Sequence, residues 1–268
     1  MPEGHVIHRL AAEIDEAFAG GPVSASSPQG RFTAELIDGS RLLDAEAFGK
    51  HLFLDFEGGH VVHIHLGLIG KLRWTQPGPP SAPGTLRLRL ERGGASLELR
   101  GPQTCEVVTP DERAAIVAEL GPDPLRPDAD PERGWTRLHR SSRPVGALLM
   151  DQRIAAGVGN IYRCEVLFRA RLSPFRPGEA VSRAEWDALW TDLVELMPFG
   201  VSDGRIDTVR AEHTPEVMGR PPRVDRHGGE VYVYRRAGDP CFVCGRGISQ
   251  QELAGRKLYW CETCQAGR

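Results

Sequence analysis

The sequence predicts an α+β protein: an N-terminal antiparallel β-sandwich with a leading helix, then a helical domain, then a small β-hairpin held by cysteines. Apolar residues first recur at helical spacing, and short strand-like runs separated by turns follow to about residue 108. Helical spacing then returns, and the last 28 residues carry four of the six cysteines. We therefore predict three domains, at residues 1–120, 121–230 and 231–268.

The first domain begins with an amphipathic helix over residues 4–18, which the Gly20-Gly21-Pro22 turn ends. Short strand-like segments at regular intervals are typical of an antiparallel sandwich or barrel. The predicted strands are 31–37, 41–48, 51–56, 60–65, 71–74, 85–90, 96–99 and 105–108. The Pro/Gly/Ser-rich span 76–84 is predicted to be a mobile loop.

Beyond Thr109 the apolar spacing is helical, and Thr109 itself is a good N-cap for the first of these helices. The predicted helices are 110–120, 135–139, 145–151, 160–170 and 183–197. A linker at 121–124 marks the domain boundary. Residues 200–230 are polar and rich in Gly and Pro, which predicts little regular structure, and 231–235 is a predicted strand.

The composition, with 40% hydrophobic and 26% charged residues, is that of a soluble globular protein. There is no run of about 18 apolar residues and no basic start followed by an apolar stretch, so we expect no membrane span, no signal peptide and a cytoplasmic location. The net charge is −3, but residues 121–268 carry 22 Lys and Arg against 20 Asp and Glu, whereas residues 1–120 carry 11 against 16. The second half therefore holds an anionic partner more easily.

The chain starts Met1-Pro2-Glu3-Gly4-His5. Removal of Met1 would leave Pro2 as a secondary amine, and an α-amino group ordinarily titrates near pH ~8. As a free base, such an amine can attack an electrophilic sugar carbon and form an imine, as lysine Schiff-base enzymes do. Glu3 beside it can move protons at the sugar and at the leaving group. The alternative is that Pro2 is only the second residue of an ordinary chain start.

Cys241, Cys244, Cys261 and Cys264 form two C-x2-C pairs separated by sixteen residues. Two thiolate pairs on two turns can close a tetrahedral zinc site with no open position, which makes the metal structural. A redox pair or chance clustering is the alternative. The segment between the pairs has the pattern of a β-hairpin. Arg256 lies near its tip or on its second strand, where it can hold a phosphate or remain a solvated surface charge.

A glycine-rich turn, Gly157-Val158-Gly159-Asn160, lies between two predicted helices. Glycine permits a tight turn and a close approach of the backbone, and Asn160 is a good N-cap for the helix that follows. The free N–H groups at the start of such a helix can bind an anion.

The Pro2-Glu3-Gly4 start, the turn at 157–160 and the terminal four-cysteine module together resemble the Fpg/Nei family of DNA glycosylases, in the family's order and over essentially the whole chain. Within that family, the start is more similar to bacterial, and especially actinobacterial, endonuclease VIII than to formamidopyrimidine glycosylases. The resemblance implies a helix–two-turn–helix fold for the second domain. It also implies one structural zinc ion per chain in a C-terminal zinc finger.

The resemblance further implies a role for each matching residue. Pro2 is the implied Schiff-base nucleophile, and Glu3 is the proton donor that helps to open the sugar and expel the base. Lys50 is the implied proton donor in β-elimination. Arg256 is implied to contact the lesion phosphates and assist δ-elimination, and Asn160 to bind a phosphate that flanks the lesion.

An enzyme that acts on a sugar inside duplex DNA flips the nucleotide out and fills the hole with apolar side chains. The resemblance places this wedge in the glycine-flanked turn 65–70, with Leu68 and Ile69 as candidates. The alternative is that both are core strand residues. The arginine-arginine-phenylalanine wedge of the oxidised-purine enzymes has no counterpart at 99–104, which argues against oxidised guanine as the main substrate.

Six of the nine histidines fall within the first 65 residues. His63 and His65 alternate along one predicted strand, which is compatible with a metal pair. No third ligand is indicated by spacing, so structural histidines are the favoured interpretation.

Together these features imply a bacterial base-excision-repair enzyme. It would be a glycosylase and AP lyase that removes oxidised bases, mainly pyrimidines, and cuts the strand by β,δ-elimination without a cofactor in the chemistry. The implied partner is damaged double-stranded DNA, with no membrane, and we expect a monomer associated with the nucleoid. Two alternatives stay open: an oxidised-purine glycosylase of the same family, and a non-catalytic relative that binds lesion DNA. The second would lack Pro2, Glu3 or Lys50, and all three are present.

Overall fold

The computed structural model describes residues 2–78, 84–225 and 229–266, and the chain separates into two compact units, residues 1–119 and 120–268. The helices are α1 Gly4–Phe18, α2 Pro110–Glu119, α3 Pro131–His139, α4 Val145–Leu148, α5 Asn160–Arg169, α6 Arg183–Asp203 and α7 Pro215–Met218. The strands are β1 Ser24–Ser26, β2 Leu42–Phe48, β3 His51–Phe56, β4 His60–His65, β5 Lys71–Thr75, β6 Leu86–Arg92, β7 Ala95–Arg100, β8 Thr104–Val108, β9 Ser249–Leu253 and β10 Arg256–Trp260. No helix among the described residues is long and apolar enough to cross a membrane.

Two four-stranded sheets build the first unit, with strand orders β2-β3-β4-β8 and β1-β6-β7-β5. Every strand pairing in them is antiparallel. One buried apolar cluster draws side chains from both sheets and from α1, whose Ile7, Ile14 and Phe18 are at most 1% exposed. The predicted antiparallel sandwich with a leading helix is therefore confirmed.

Helix α1 and strand β2 run in opposite directions. The Asp15 carboxylate accepts a hydrogen bond from the Ala45 N–H at 3.2 Å, and past the end of α1 the Gly20 N–H donates to the Leu42 carbonyl at 2.9 Å. From Asp15 back to Glu3 the helix extends about 18 Å, and from Ala45 onward β2 extends about 10 Å. The start of α1 therefore lies toward the turn that joins β2 to β3.

Helix α2 covers the other face of the β2-β3-β4-β8 sheet. Phe53 of the sheet packs with Ile116 of the helix, and the Arg113 guanidinium donates to the Asp55 carboxylate at 2.6 Å. As predicted, Thr109 caps α2: its hydroxyl accepts a hydrogen bond from the backbone N–H three residues on at 3.2 Å. The outer face of this sheet is thus partly buried, so polar side chains on it have protein neighbours.

In the second unit, the helices and the antiparallel hairpin β9–β10 share one buried cluster. Helix α5 lies inside it, since every residue from Asn160 to Phe168 is buried. The Tyr259 N–H of β10 donates to the Cys164 sulfur at 3.5 Å. The cysteine hairpin is therefore packed on the helices rather than tethered loosely to them, and the predicted helical domain with a C-terminal hairpin is confirmed.

The first unit differs from the prediction in one predicted strand that is absent and one strand that was not predicted. Residues 31–37 form no strand but contain a 3₁₀ turn at Ala34–Leu36. The three-residue strand β1 was not predicted, because it is too short to show an alternating pattern. It exists because it pairs with β6 over its whole length.

The predicted strand at 231–235 is also wrong, and the buried Glu165 explains why. Its carboxylate accepts hydrogen bonds from the successive N–H groups of Tyr232, Val233 and Tyr234 at 2.7, 2.9 and 2.8 Å. In a strand, neighbouring N–H groups point to opposite sides. One carboxylate can gather three in succession only if the backbone turns around it.

Helix α6 extends six residues beyond the predicted end, to Asp203, with Pro198 inside it. The prediction ended the helix before this proline, which removes one helical hydrogen bond, but α6 buries residues on both sides of it, including Met197 and Gly200. Within the spans predicted as loops, residues 79–83 and 226–228 lie outside the described residues.

Candidate functional site

The predicted catalytic side chains of the first unit lie at the start of α1 and in the β2–β3 turn. Pro2 and Glu3 immediately precede α1, and Gly49 and Lys50 form the turn, with Gly49 in the left-handed region at φ +59°. Glu3 and Lys50 are only 2% and 9% exposed. Because α1 and β2 are antiparallel, these residues lie toward the same end of the unit. Ionisable groups buried in this way are candidates for chemistry.

The turn after β4 presents two apolar side chains to solvent. Leu68 and Ile69 are 59% and 77% exposed, so the alternative that they are core strand residues is wrong. Gly67 has a φ of +66°, and the Gly70 N–H donates to the Leu66 carbonyl at 3.0 Å, which closes the turn. Because the start of β3 pairs with the end of β4, this turn lies at the same end of the sheet as the β2–β3 turn.

A row of hydrogen-bonded side chains crosses the outer face of the β2-β3-β4-β8 sheet. His63 contacts Glu106 through Nδ1 at 3.0 Å and His51 through Nε2 at 2.9 Å. Its ring stacks on Phe53, with 4.9 Å between centroids. Both nitrogens of His63 are engaged, and no histidine among the described residues belongs to a cluster of metal ligands. This arrangement supports the structural interpretation for His63, because neither of its ring nitrogens is left to bind a metal ion.

The four C-terminal cysteines form a metal site. Their sulfurs all lie within 4.8 Å of one another, with 3.8 Å between Cys241 and Cys264 and 3.4 Å between Cys244 and Cys261. A zinc–sulfur distance of about 2.3 Å in a tetrahedron corresponds to sulfur–sulfur edges of about 3.8 Å, whereas a disulfide would need about 2.05 Å. The donor set fits a structural zinc ion with no ligand position left for water.

Asn160 is the first residue of α5, and Gly159 is its N-cap, so the prediction that Asn160 caps the helix is wrong. Its side chain is engaged elsewhere. Nδ2 donates to the Lys257 carbonyl at 2.9 Å, and Oδ1 accepts from the buried Arg163 guanidinium. Arg163 also donates to the Leu253 carbonyl at 3.1 Å. The amide nitrogen carries two hydrogens, so one remains for another acceptor.

Arg256 is the first residue of β10 and directly follows the hairpin tip, where Ala254 and Gly255 have φ values of +54° and +67°. This is the position predicted for it. Its Nη1 donates to the Gly255 carbonyl at 2.8 Å, and the exposed Lys257 follows. The hairpin between the two cysteine pairs therefore carries two positively charged side chains, Arg256 and Lys257, next to its tip.

Comparison with protein families identifies the class that has this architecture. The formamidopyrimidine-DNA glycosylase N-terminal domain matches residues 1–107, its H2TH domain matches 120–211, and the zinc finger found in FPG and IleRS matches 238–267. The fold and the cysteine site thus define a zinc-finger DNA glycosylase. The chain belongs to the Fpg/Nei family, the formamidopyrimidine-DNA glycosylases and endonucleases VIII.

Several relatives are similar over most of their length. Endonuclease 8 1 of Mycobacterium tuberculosis is 49% identical over 99% of this chain and 100% of its own. Formamidopyrimidine-DNA glycosylase of Thermus thermophilus is 37% identical over 86% and 84%. The crystal structure of the MutM (Fpg) protein of Thermus thermophilus has a TM-score of 0.77 at 32% identity and covers 100% of both chains. Lactococcus lactis Fpg in a complex with abasic-site DNA shares the fold, with a TM-score of 0.80 at 20% identity over 98% and 99%.

Sequence reasoning missed three charged groups, of which two are buried and one, Glu106, is exposed. Arg163 and Glu165 are fully buried in α5. They stand in an otherwise apolar stretch of that helix, which is a signal that could have marked them. Glu106 carries no such signal, because its contact with His63 depends on the β4–β8 register.

Proposed function

We propose that the protein is a glycosylase and AP lyase that removes oxidised bases, preferentially pyrimidines, from damaged double-stranded DNA, and that it acts as a monomer. Family membership supports the enzyme class, and the 49%-identical mycobacterial relative is named an endonuclease 8. The observation that carries the chemistry is the burial of Glu3 and Lys50 toward the end of the unit where Pro2 lies. Burial of ionisable groups is costly unless it is compensated, and it is common where protons are transferred.

The proposed first step is attack of the Pro2 amine on C1′ of the damaged nucleotide. An α-amino group with a pKa near ~8 is partly unprotonated at neutral pH, so Pro2 needs little activation. The C1′–N bond to the base breaks while the C1′–N bond to Pro2 forms. The C1′–O4′ bond then breaks, its electron pair stays on O4′, and the lone pair of the Pro2 nitrogen forms the iminium. Glu3 supplies the proton that O4′ takes up, which helps to open the sugar and expel the base, and it regains the proton that the Pro2 nitrogen loses, while the departing base takes a proton from water.

The proposed second step uses the iminium on C1′ to cut the strand. The iminium acidifies the C2′ hydrogen, and loss of this proton expels the 3′ phosphate by β-elimination, with Lys50 as the proton donor. A second, δ-elimination releases the 5′ phosphate and leaves a one-nucleotide gap. Arg256 supports this elimination because its guanidinium can form two hydrogen bonds to a phosphate.

Several groups of the second unit support phosphate binding. The second N–H of the Asn160 side-chain amide can donate to a phosphate. The contact between Asn160 and Lys257 holds β10, and hence Arg256, in a defined position relative to α5. The zinc ion takes no part in the proposed chemistry and only stabilises the hairpin that carries Arg256.

Pyrimidine preference is supported by the connection between β7 and β8. It consists of Gly101, Pro102 and Gln103. Its one apolar side chain, that of Pro102, is buried, so the connection exposes no apolar side chain for insertion into the base stack. The Gln103 N–H donates to the His65 carbonyl at 3.0 Å, which keeps the connection tight. The wedge of the proposed enzyme is instead the exposed pair Leu68 and Ile69.

Borohydride trapping on an abasic duplex tests the proposal, because only an imine gives a reduced covalent adduct. We expect the chain that begins with Pro2 to be trapped and the Pro2→Gly variant with an N-terminal extension not to be. Glu3→Gln should lose base excision and keep trapping on the abasic site, whereas Glu57→Gln, at an exposed β3–β4 turn, should keep both.

The same assay separates the alternatives. Lack of trapping by the Pro2 chain, with DNA binding retained, would establish the non-catalytic binding protein instead. A panel of duplexes with thymine glycol or oxidised guanine decides the substrate. Faster single-turnover excision of oxidised guanine would favour the oxidised-purine glycosylase.

A further inference from the structure

Three side chains on neighbouring strands form a continuous hydrogen-bonded row: Glu106 on β8, His63 on β4 and His51 on β3. The Glu106 Oε1 is 3.0 Å from the His63 Nδ1, and the His63 Nε2 is 2.9 Å from the His51 Nδ1. The planes of the two imidazoles differ by 9° and their centroids are 5.1 Å apart, so the hydrogen-bonded rings are nearly coplanar and meet edge to edge. The geometry therefore holds each ring with one nitrogen directed at the next member of the row.

With both imidazoles neutral and Glu106 ionised, the row has one consistent arrangement of protons. An ionised carboxylate only accepts hydrogen bonds, so the His63 Nδ1 carries the proton that points to Glu106. In a neutral imidazole the other nitrogen is then an acceptor, and the His51 Nδ1 donates to it. This leaves the Nε2 of His51 unprotonated, and within the described residues no side chain donates to it.

The surroundings keep His51 neutral. Burial, followed by the neighbouring His65, His63 and Lys50, lowers the pKa of His51 to about 3. The ring is half-buried at the end of the sheet where Lys50 lies, while the Glu106 side chain at the other end of the row is 53% exposed. One end of the row is thus next to a proposed catalytic residue and the other end meets solvent.

We propose that His51, His63 and Glu106 form a proton relay that carries a proton from the active site beside Lys50 to solvent during strand cleavage. This inference rests on the proposed lyase function. The arrangement follows the logic of a base that is oriented by a hydrogen-bonded partner, which is in turn oriented by a carboxylate.

The relay conserves protons and charge. The C2′–H bond of the sugar breaks, and its electron pair enters the new C2′=C3′ bond as the 3′ phosphate leaves. The proton reaches the Nε2 of His51, the Nδ1 proton of His51 passes to the Nε2 of His63, and the Nδ1 proton of His63 passes to Glu106. Glu106 releases it to water. Each imidazole is neutral before and after, which the low proton affinity of His51 requires, and the reverse movement restores the row after DNA leaves.

Glu106→Gln tests the relay because the amide preserves shape but cannot accept a proton. On a preformed abasic duplex, we expect borohydride trapping at the wild-type rate and single-turnover β-elimination slower by about tenfold to a hundredfold, the scale of a lost proton transfer. The solvent deuterium isotope effect on elimination should change as well, which a purely structural defect would not cause. Glu91→Gln, a strand glutamate paired with Arg89 on the other sheet, is the matched control.

A second measurement determines which ring nitrogens of the row carry protons. In protein labelled with nitrogen-15 histidine, His51 should show a protonated Nδ1 and a bare Nε2, and Glu106→Gln should shift it toward the opposite tautomer. A protonated Nε2 in the wild type, or unchanged elimination and isotope effect in Glu106→Gln, would overturn the relay alone. Failure of the wild-type chain to trap at all would instead overturn the proposed lyase.

Discussion

The side-chain amide of Asn160 donates a hydrogen bond to the backbone carbonyl of Lys257, with 2.9 Å between Nδ2 and the oxygen. The two residues are 97 positions apart in the chain, and they join the first residue of α5 to the second strand of the zinc hairpin. Arg163 strengthens the junction by contacting both Asn160 and the Leu253 carbonyl. One amide thereby serves the folding of the unit and, in the proposed function, the binding of DNA.

Asn160→Asp should destabilise the second unit. The carboxylate cannot donate to the Lys257 carbonyl, so the partly buried hydrogen bond is lost and the two oxygens repel each other, at a cost of about 1–3 kcal/mol in the free energy of unfolding. Urea denaturation measures this change. The control is Gln251→Glu, which adds the same charge at an exposed position on β9. Equal stability of the two variants would contradict the assigned contact.

Glu165→Gln should be among the most damaging single substitutions in the chain. The carboxylate accepts from Thr208 at 2.6 Å and from three successive N–H groups at 232–234. An amide turns part of that acceptor surface into a donor that faces donors, which should cost about 2–4 kcal/mol. Denaturant titration of Glu165→Gln beside Glu252→Gln, at an exposed β9 site, checks this. A loss below about 1 kcal/mol, the value of a single ordinary hydrogen bond, would contradict it.

Cys264→Ser should release the zinc ion and weaken DNA binding together. A structural zinc site contributes directly to folding, so the hairpin that carries Arg256 should lose its fixed position. Metal analysis should give one zinc per wild-type chain and less in the variant, and binding to an abasic duplex should fall. Thr263→Ser, between the same ligands, should keep both. Full DNA affinity without zinc would show that the metal does not position the hairpin.

Leu68→Ala and Ile69→Ala should separate stability from function. Both side chains are exposed, so the free energy of unfolding should change by less than about 0.5 kcal/mol. Excision from duplex DNA should nevertheless slow, because the gap left by the flipped nucleotide is no longer filled. Fluorescence of 2-aminopurine next to the lesion reports the unstacking. Leu43→Ala, at another exposed leucine (54% exposed), is the control that should leave both unchanged.

Lowering the pH should reduce the stability of the first unit, because protonation of His51 favours the unfolded state. The pKa is about 3 in the folded chain and near ~6.5 when unfolded, so the unfolded state binds more protons between these values. The contribution of neutral His51 to the free energy of unfolding is complete above pH 6.5 and is lost as the pH falls toward 3. From pH 7 to pH 5 the loss should be about 2 kcal/mol. His51→Gln should reduce this dependence in urea titrations, and His60→Gln, at the other end of β4, should not.

Local patterns predicted most of the architecture. The bounds of α1, β3 and β4 follow from apolar spacing and glycine turns, because each element is long enough to show its period and packs one face on the core. The cysteine spacing predicts the zinc site because both C-x2-C pairs act within a few residues. The failures at 231–235 and at the N-terminus of α5 have a common cause. There, Glu165 and Asn160 bind backbone groups remote in sequence, and local propensity carries no information about such partners.

The candidate site likewise contains residues that local sequence identifies and contacts that only the folded chain creates. Pro2, Glu3 and Lys50 stand in short recognisable motifs, so sequence alone singles them out. The row from His51 to Glu106 exists only after three strands have paired in one register. Alternation along β4 showed that His63 and His65 share a face, but it could not show what lies across from them.

The contacts from α5 and its surroundings to the C-terminal hairpin also set an order of events during protein synthesis. Asn160 can form its hydrogen bond only after Lys257 has been synthesised. The Leu172 carbonyl likewise pairs with the Gln265 side-chain amide, at 3.0 Å, only after a further 93 residues have been synthesised. At about 5–20 residues per second, that delay is on the order of 5–20 s on the ribosome. A premature stop codon or C-terminal proteolysis would therefore yield a chain that still carries Pro2, the proposed nucleophile, but leaves α5 without the hairpin that covers it, and we expect proteases to degrade such a chain.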